Sequence, residues 1–217
     1  LIFSSSATIY GNPDSVPIKE NAPIKEAFSP YGKTKQICEE IIRDITKSNS
    51  SIKSVILRYF NPIGAHPSGL IGEHPKEVPE NLIPFITQTL IGKRNKLMVF
   101  GNDYPTVDGT CIRDYIDVMD LAEAHIKSLE FILEPKNDKN FEVINIGTGK
   151  GHSVFQIIKI FEKVTKKKLK YEIKERRKGD VPISYADCSK AKEILGWTSK
   201  LSIEDSIASS WNWENNN

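Results

Sequence analysis

Tyr31 and Lys35 stand four residues apart, so on a helix they share one face about one turn from each other. A lysine ammonium beside a phenol favours the phenolate and lowers its pKa from about 10, which makes tyrosine a usable base near neutral pH. The alternative is a tyrosine packed at a helix start with a lysine running past it. Upstream, Ser4-Ser5-Ser6 follow the apolar run Leu1-Ile2-Phe3. Hydroxyls at the carboxyl end of a parallel strand lie where open α/β sheets bind ligands. Ser6 is furthest past the strand end and is expected to reach a ligand, with Ser4 and Ser5 bonding backbone; a serine-rich turn satisfying its own amides stays open as the other reading. Arg113 and Arg177 carry the planar guanidinium that binds phosphate oxygens through two parallel hydrogen bonds, with ion pairs to Asp114 or Asp180 as the alternative. His66, His74, His125 and His152 have no metal-like spacing, so no metal site is expected. Gly147-Thr148-Gly149-Lys150-Gly151 is spaced G-x-G-x-G rather than as a dinucleotide or P-loop fingerprint, and reads as a strand-to-helix turn.

The elements that must carry these residues follow from periodicity. A strand at Leu1-Ile2-Phe3, a loop over 7–13, a helix from Pro30 to about Lys47 with Ser29 as N-cap, and a strand over Ser54 to Tyr59 form a right-handed βαβ crossover. The helix is expected to turn Tyr31, Lys35, Cys38, Ile42 and Ile45 towards the core. Residues 62–80 are rich in proline and glycine without periodicity, and a domain boundary is placed there. Beyond it the pattern predicts a helix over 82–92, strands over 97–100 and 110–116, a helix capped by Asp117 to about Leu133, and a strand over 141–146. A helix over 153–165, a strand near 169–174 and two short helices ending near Leu195 and Trp213 follow, before a frayed tail from Glu214. The class is α/β.

The chain has 217 residues, 39% hydrophobic and 27% charged, which suits a well-buried core and excludes a disordered chain. With 30 Lys and Arg against 28 Asp and Glu, the net charge is +2, and Lys166-Lys167-Lys168 reads as a solvated helix end, so nucleic acid is not expected as a partner. No apolar run approaches the roughly 20 residues of a membrane span, and Leu1-Ile2-Phe3 has no signal-peptide flank, so no membrane partner is expected. Cys38, Cys111 and Cys188 form no C-x-x-C, which fits a reducing, cytoplasmic setting. A chain that opens on Leu1 inside a strand is expected to be a piece of something longer.

Three segments carry a resemblance: Ser4-Ser5-Ser6-Ala7-Thr8-Ile9-Tyr10-Gly11, Tyr31-Gly32-Lys33-Thr34-Lys35 and Arg58-Tyr59-Phe60-Asn61-Pro62-Ile63-Gly64-Ala65-His66. With Phe100-Gly101-Asn102-Asp103-Tyr104, Cys111-Ile112-Arg113-Asp114-Tyr115, Gly179-Asp180 and Gly196-Trp197, the sequence resembles the UDP-galactose 4-epimerases of the extended short-chain dehydrogenase/reductase superfamily over nearly its whole length. Tyr31 and Lys35 match the superfamily alone; the serine run and the later segments match the epimerases. The resemblance implies the carboxyl-terminal part of a Rossmann-type parallel-sheet domain in residues 1–61 and a smaller α/β substrate domain in 62–217, with a return of 110–146 to the first domain left open. The family's G-x-x-G-x-x-G loop is absent, so this chain alone is expected to be inactive.

The same resemblance implies interconversion of UDP-glucose and UDP-galactose by transient, NAD-dependent oxidation at C4. It makes Tyr31 the base, with Lys35 and Ser6 as its catalytic companions. It puts Ser4, Ser6, Tyr31, Lys35, Tyr59 and Phe60 on NAD. It puts Ser6, Tyr31, Asn61, Asn81, Leu82, Met98, Phe100, Arg113, Arg177, Asp180 and Ser184 on the UDP-hexose, although from sequence alone Asn81 equally caps a helix and Phe100 equally fills a core. Lys178 stands where the family commonly has proline. Ser184 borders the sugar's 2-substituent, and a small residue there leaves room for an N-acetyl group. A homodimer through a bundle that includes the Tyr31 helix is also implied, although that helix carries the charged Lys33, Glu40 and Asp44. A 4,6-dehydratase is the rival enzyme, but it would need carboxylates near Ser6-Ala7; a non-catalytic nucleotide binder would show a broken Tyr-Lys pair, and here the pair is intact.

Overall fold

The Ser54–Tyr59 segment is apolar and β-branched almost throughout, and it forms the middle strand of a three-stranded parallel sheet, covered on both faces as such runs usually are. A computed structural model describes residues 1–216. In chain order it contains β1 (Ile2–Ser6), a 3-10 turn (Ala7–Tyr10), α1 (Pro30–Ser48), β2 (Ser54–Tyr59), β3 (Asn61–Ile63), α2 (Leu82–Leu90), β4 (Leu97–Phe100), β5 (Ile112–Asp117) and α3 (Val118–Leu133). Then come β6 (Phe141–Ile146), β7 (Gly151–Ser153), α4 (Val154–Thr165), β8 (Tyr171–Lys174), β9 (Ile183–Ser184), α5 (Ser189–Leu195) and α6 (Ile203–Asn216).

The first sheet runs β1-β2-β6, all parallel, so the chain returns to this sheet after α3. Successive strand residues point to opposite faces. Ser5 meets Glu39 of α1 and Ser4 meets His125 of α3, so the two helices cover opposite faces of β1. A second sheet centres on β5, which pairs β3 with its carboxyl half and both β7 and β9 with its amino half. β4 and β8 form a separate parallel pair. Three apolar clusters result: Val55, Leu57, Ile144 and Ile146 pack with Leu121, Leu195 and Trp197; Ile83, Ile86, Val99, Phe161 and Ile207 pack among α2, α4, α6 and β4; and Ile9, Tyr10, Ile18 and Phe60 form the third.

The local signals explain most boundaries. Ser29 Oγ accepts from Gly32 N at 3.1 Å with Pro30 opening α1, Asp117 Oδ1 accepts from Met119 N at 2.8 Å, and Gly196 closes α5 in the left-handed region at φ 60°. Ser153 and Gln156 form a reciprocal capping box at the start of α4.

Several expectations are corrected. β1 continues through the serines to Ser6, because β2 supplies a register partner for each of them. The expected loop after Ser6 begins with a 3-10 turn, capped by Ser6 Oγ accepting from Thr8 N at 3.2 Å. The core face of α1 is Gly32, Gln36, Glu39, Ile42 and Thr46, one residue round from the face expected; Tyr31 is half exposed and Ile45 points outward. Polar side chains hold that face down, which an apolar periodicity cannot reveal. The expected frayed tail is helical through Asn216, since Glu214 is buried and bonded by Lys93 and Thr87; Asn217 lies outside the described residues.

Candidate active site

Two clusters form where the strands of both sheets end. The first gathers around β1. Lys35 Nζ donates to the Ser4 carbonyl at 2.7 Å and lies 5.4 Å from the centre of the Tyr31 ring, whose phenol stays half exposed. Burial raises the pKa of Tyr59, at the end of β2, above the ordinary phenol value, and the nearby Tyr31 phenol adds to the rise. Ser6 Oγ accepts from Thr8 N and from Thr8 Oγ1 at 3.1 Å, and because both contacts use its lone pairs, its own hydrogen remains available to donate. Ser4 and Ser5 bond side chains, His125 and Glu39, rather than backbone as expected. Phe60 is not brought to this cluster: its ring is buried with Ile9, Tyr10 and Ile18.

Beneath α1 lies a closed polar network. Arg58 grips Glu39 with Nε to Oε1 at 3.0 Å and Nη2 to Oε2 at 2.6 Å, and its Nη1 donates to Tyr10 Oη and the Glu20 carbonyl. Tyr10 donates onward to Asn145 Oδ1 at 2.7 Å, and burial pushes its pKa up to about 12. Gln36 donates to the Ile9 and Lys25 carbonyls. Both charges of the ion pair are almost fully buried, so the network fixes the azimuth of α1 and with it the exposure of Tyr31.

The second cluster lines a cavity of about 390 Å³ between β4, β5, α2 and the 61–82 segment. Asn61, Asn81, Leu82, Met98, Phe100, Arg113, Arg177 and Asp180 all line it. Asp180 accepts from Arg177 Nη2 at 3.0 Å and lies 3.9 Å from Arg113 Nη2, so the ion pair anticipated as an alternative forms, but it forms within the cavity wall. Arg113 Nη1 is fixed by the Ile112 and Val181 carbonyls at 2.9 and 2.7 Å. Phe100 is exposed rather than core, with the Arg177 guanidinium 5.7 Å over its ring. Asn81 holds the backbone cap position of α2 without a side-chain cap bond; its Nδ2 donates to Glu73 Oε1 at 3.0 Å.

Ser184 does not line the cavity. It sits on β9 in register with Arg113. Asp114, the other suggested arginine partner, is fully buried and instead accepts from Thr148, Gly149 and Ala186, fixing the turn after β6; burial raises its carboxyl pKa. Sequence reasoning missed Glu73, Cys111 and Tyr115 in the cavity wall, and His125 behind Ser4. Cys111 and Tyr115 each lie two residues from Arg113, and strand alternation would have placed them on its face; Glu73 and His125 carry no such signal, His125 meeting Ser4 across 121 residues. Among the described residues there is no group able to hold a metal ion, and no helix is long and apolar enough to cross a membrane.

Asn61 links the two clusters along the chain. It follows Tyr59 by two residues, opens β3 and lines the cavity. The arrangement offers a phenol and an ammonium at one end and paired guanidiniums beside an aromatic ring at the other, which suits an elongated ligand with an anionic, planar end and a hydroxylated end.

A sequence model described as GDP-mannose 4,6 dehydratase matches residues 1–210. The UDP-glucose 4-epimerase of Bacillus subtilis (strain 168) is 49% identical over 217 residues, covering 100% of this chain and 63% of that protein. The human UDP-glucose 4-epimerase is 47% identical, with 100% and 62% covered. Among solved structures, a UDP-glucose 4-epimerase from Bifidobacterium longum in complex with NAD+ and UDP superposes with a TM-score of 0.94 at 46% identity, covering 100% of this chain and 63% of that one. The chain thus spans less than two thirds of the length of these relatives.

Proposed function

The chain belongs to the GDP-mannose 4,6 dehydratase family, and from that premise we propose that it supplies the catalytic pair and the sugar-nucleotide cavity of a UDP-hexose 4-epimerase that works with NAD. The observation that carries this reading is the pairing of two sites on one chain: a half-exposed phenol beside an ammonium, and a cavity walled by two arginines whose lining begins at Asn61, two residues after Tyr59. The likeness to epimerases crystallised with NAD and UDP supports it. We assign residues 1–61 to the cofactor side and 62–217 to the substrate side, with α3 and β6 of the 110–146 stretch returning to the first, a division supported by β6 lying beside β2, while β5 of the same stretch stays with the cavity.

In this reading Arg113 and Arg177 bind the diphosphate, Asp180 the uridine ribose and Phe100 the uracil, with Asn61, Asn81, Leu82 and Met98 completing the wall. Tyr31 takes the proton of the C4 hydroxyl and returns it after the sugar has turned, Ser6 shares that hydroxyl through its free hydrogen, and Lys35 supplies the positive charge that stabilises a phenolate. The donor set at the strand ends fits the cofactor: Ser4, Ser6, Tyr31, Lys35 and Tyr59 would hold NAD. NAD, when bound, supplies reversible oxidation at C4. Anchoring at the diphosphate end leaves the hexose free to rotate, which inversion at C4 requires.

A dehydratase would need an acid and a base for loss of water, but Ser6-Ala7 offers no carboxylate and Glu39, one turn after Lys35, is locked to Arg58. The test is conversion of UDP-galactose to UDP-glucose by the native polypeptide with NAD. Tyr31→Phe is expected to lose about 10²-fold in kcat; activity within a few-fold of the parent removes the assignment. We further place the protein in the cytoplasm, in keeping with three free cysteines, and as a homodimer through α1, whose Ile37, Ile41 and Ile45 form an exposed apolar row. Light scattering checks this: Ile41→Asp is expected to halve the mass, and a parent that is already monomeric refutes it.

A further inference from the structure

His125 belongs to neither cluster, yet it touches the residue on which the first one is built. Its Nδ1 lies 2.8 Å from the Leu121 carbonyl, one turn back on α3. A carbonyl only accepts, so in the neutral ring Nδ1 carries the hydrogen and Nε2 presents a lone pair. That lone pair faces Ser4 Oγ at 2.9 Å, and the serine must donate to it. The Tyr59 and His125 rings lie 6.5 Å apart, tilted by 52°.

The same serine is held from the other face of the sheet, where Lys35 Nζ of α1 donates to its carbonyl at 2.7 Å. Ser4 is therefore clamped between two helices: its main chain to α1 through Lys35, its side chain to α3 through His125. Two residues further on, Ser6 leaves the strand and caps the 3-10 turn. We propose that His125 is a positioning residue for the Tyr31–Lys35 pair, acting through the Ser4 hydroxyl to fix the carboxyl end of β1. Its consequence for kcat rests on the epimerase reading above; the clamp itself does not.

The experiment compares the native polypeptide with His125→Phe, which keeps a ring against Tyr59 but offers no acceptor, and His125→Gln, whose carbonyl oxygen can accept from Ser4. Amide hydrogen exchange over residues 4–10, melting temperature, and kcat and KM for UDP-galactose are measured in each. In His125→Phe, exchange over 4–10 is expected to rise about 10-fold while the rest of the chain is unchanged. In the same variant kcat is expected to fall about 10- to 100-fold with KM held within about twofold. His125→Gln restores most of both. Ser4→Ala, which removes only the hydroxyl, reproduces the local exchange, so the inference can be read even if the phenylalanine variant does not fold. Unchanged exchange over 4–10 in both His125→Phe and Ser4→Ala overturns the proposal. So does a rise throughout the chain with a fall in melting temperature, or failure of glutamine to rescue. If the clamp loosens as expected but the parent does not convert UDP-galactose, the positioning inference stands and the epimerase reading falls.

Discussion

Arg58, beneath α1, spends its guanidinium on Glu39, Tyr10 and the Glu20 carbonyl, and almost none of it is exposed. Arg177, in the cavity wall, makes one bond to Asp180, stacks near Phe100 and leaves more than half its side chain exposed. Both arginines pair with a carboxylate, but the first is enclosed with every partner supplied by the protein and the second keeps donors facing open space. The enclosed network orients a helix. The open one is left ready for a ligand, which is why the cavity and not the network carries the binding proposal.

The comparison can be broken most sharply by the same deletion at both places. Arg58→Met leaves Glu39 as an unpaired buried charge and is expected to destabilise by about 3–5 kcal/mol in urea unfolding, whereas Arg177→Met should stay within about 0.5 kcal/mol. Adding Glu39→Gln to Arg58→Met should recover part of the loss, because the stranded carboxylate is gone. Equal costs for the two single variants would mean that enclosure does not distinguish the regions.

A smaller effect sharpens the other side. Arg113→Met is expected to weaken UDP binding about 10- to 100-fold by calorimetry, the worth of one or two hydrogen bonds to a charged group. Arg113 is the better-held of the two cavity arginines, fixed by the Ile112 and Val181 carbonyls, so its donors are aimed before the ligand arrives. Unaltered affinity would remove the diphosphate from this wall.

The smallest expected change concerns the sugar. Ser184 lies outside the cavity wall but in register with Arg113 of that wall, and we propose that its small side chain leaves the space beside that arginine open to a 2-N-acetyl group. The parent should accept both UDP-galactose and UDP-N-acetylgalactosamine, and Ser184→Tyr should lower kcat/KM for the N-acetyl sugar about 10-fold relative to the other. A parent that ignores the N-acetyl substrate, or a tyrosine variant that handles both sugars as the parent does, rules this out.

Local chemistry made much of the fold legible before any coordinates. Ser29-Pro30, Asp117 and Gly196 mark helix ends because a cap is a contact between residues at most five apart. β2 could be read from the apolar run Val55-Ile56-Leu57 at its centre, as strands covered on both faces are read, although its buried Arg58 needs Glu39 of α1 as a partner. The cavity residues were legible for a different reason: the motifs around Phe100, Arg113 and Asp180 resemble a known family, whereas composition alone left them as core or surface.

What the sequence by itself determined was therefore the α/β class, the caps, and the Tyr31–Lys35 spacing, each fixed by interactions within a few residues. Only the tertiary structure decided which way α1 faces. Its apolar row, Ile37, Ile41 and Ile45, points outward, while Gln36 and Glu39 point in, because their partners Arg58, Ile9 and Lys25 are brought to them from other segments. Likewise Ser4 meets His125 across 121 residues of chain. A buried polar group is tolerated when a partner satisfies it, and whether that partner is present is a property of the folded arrangement rather than of the residue's neighbours in sequence.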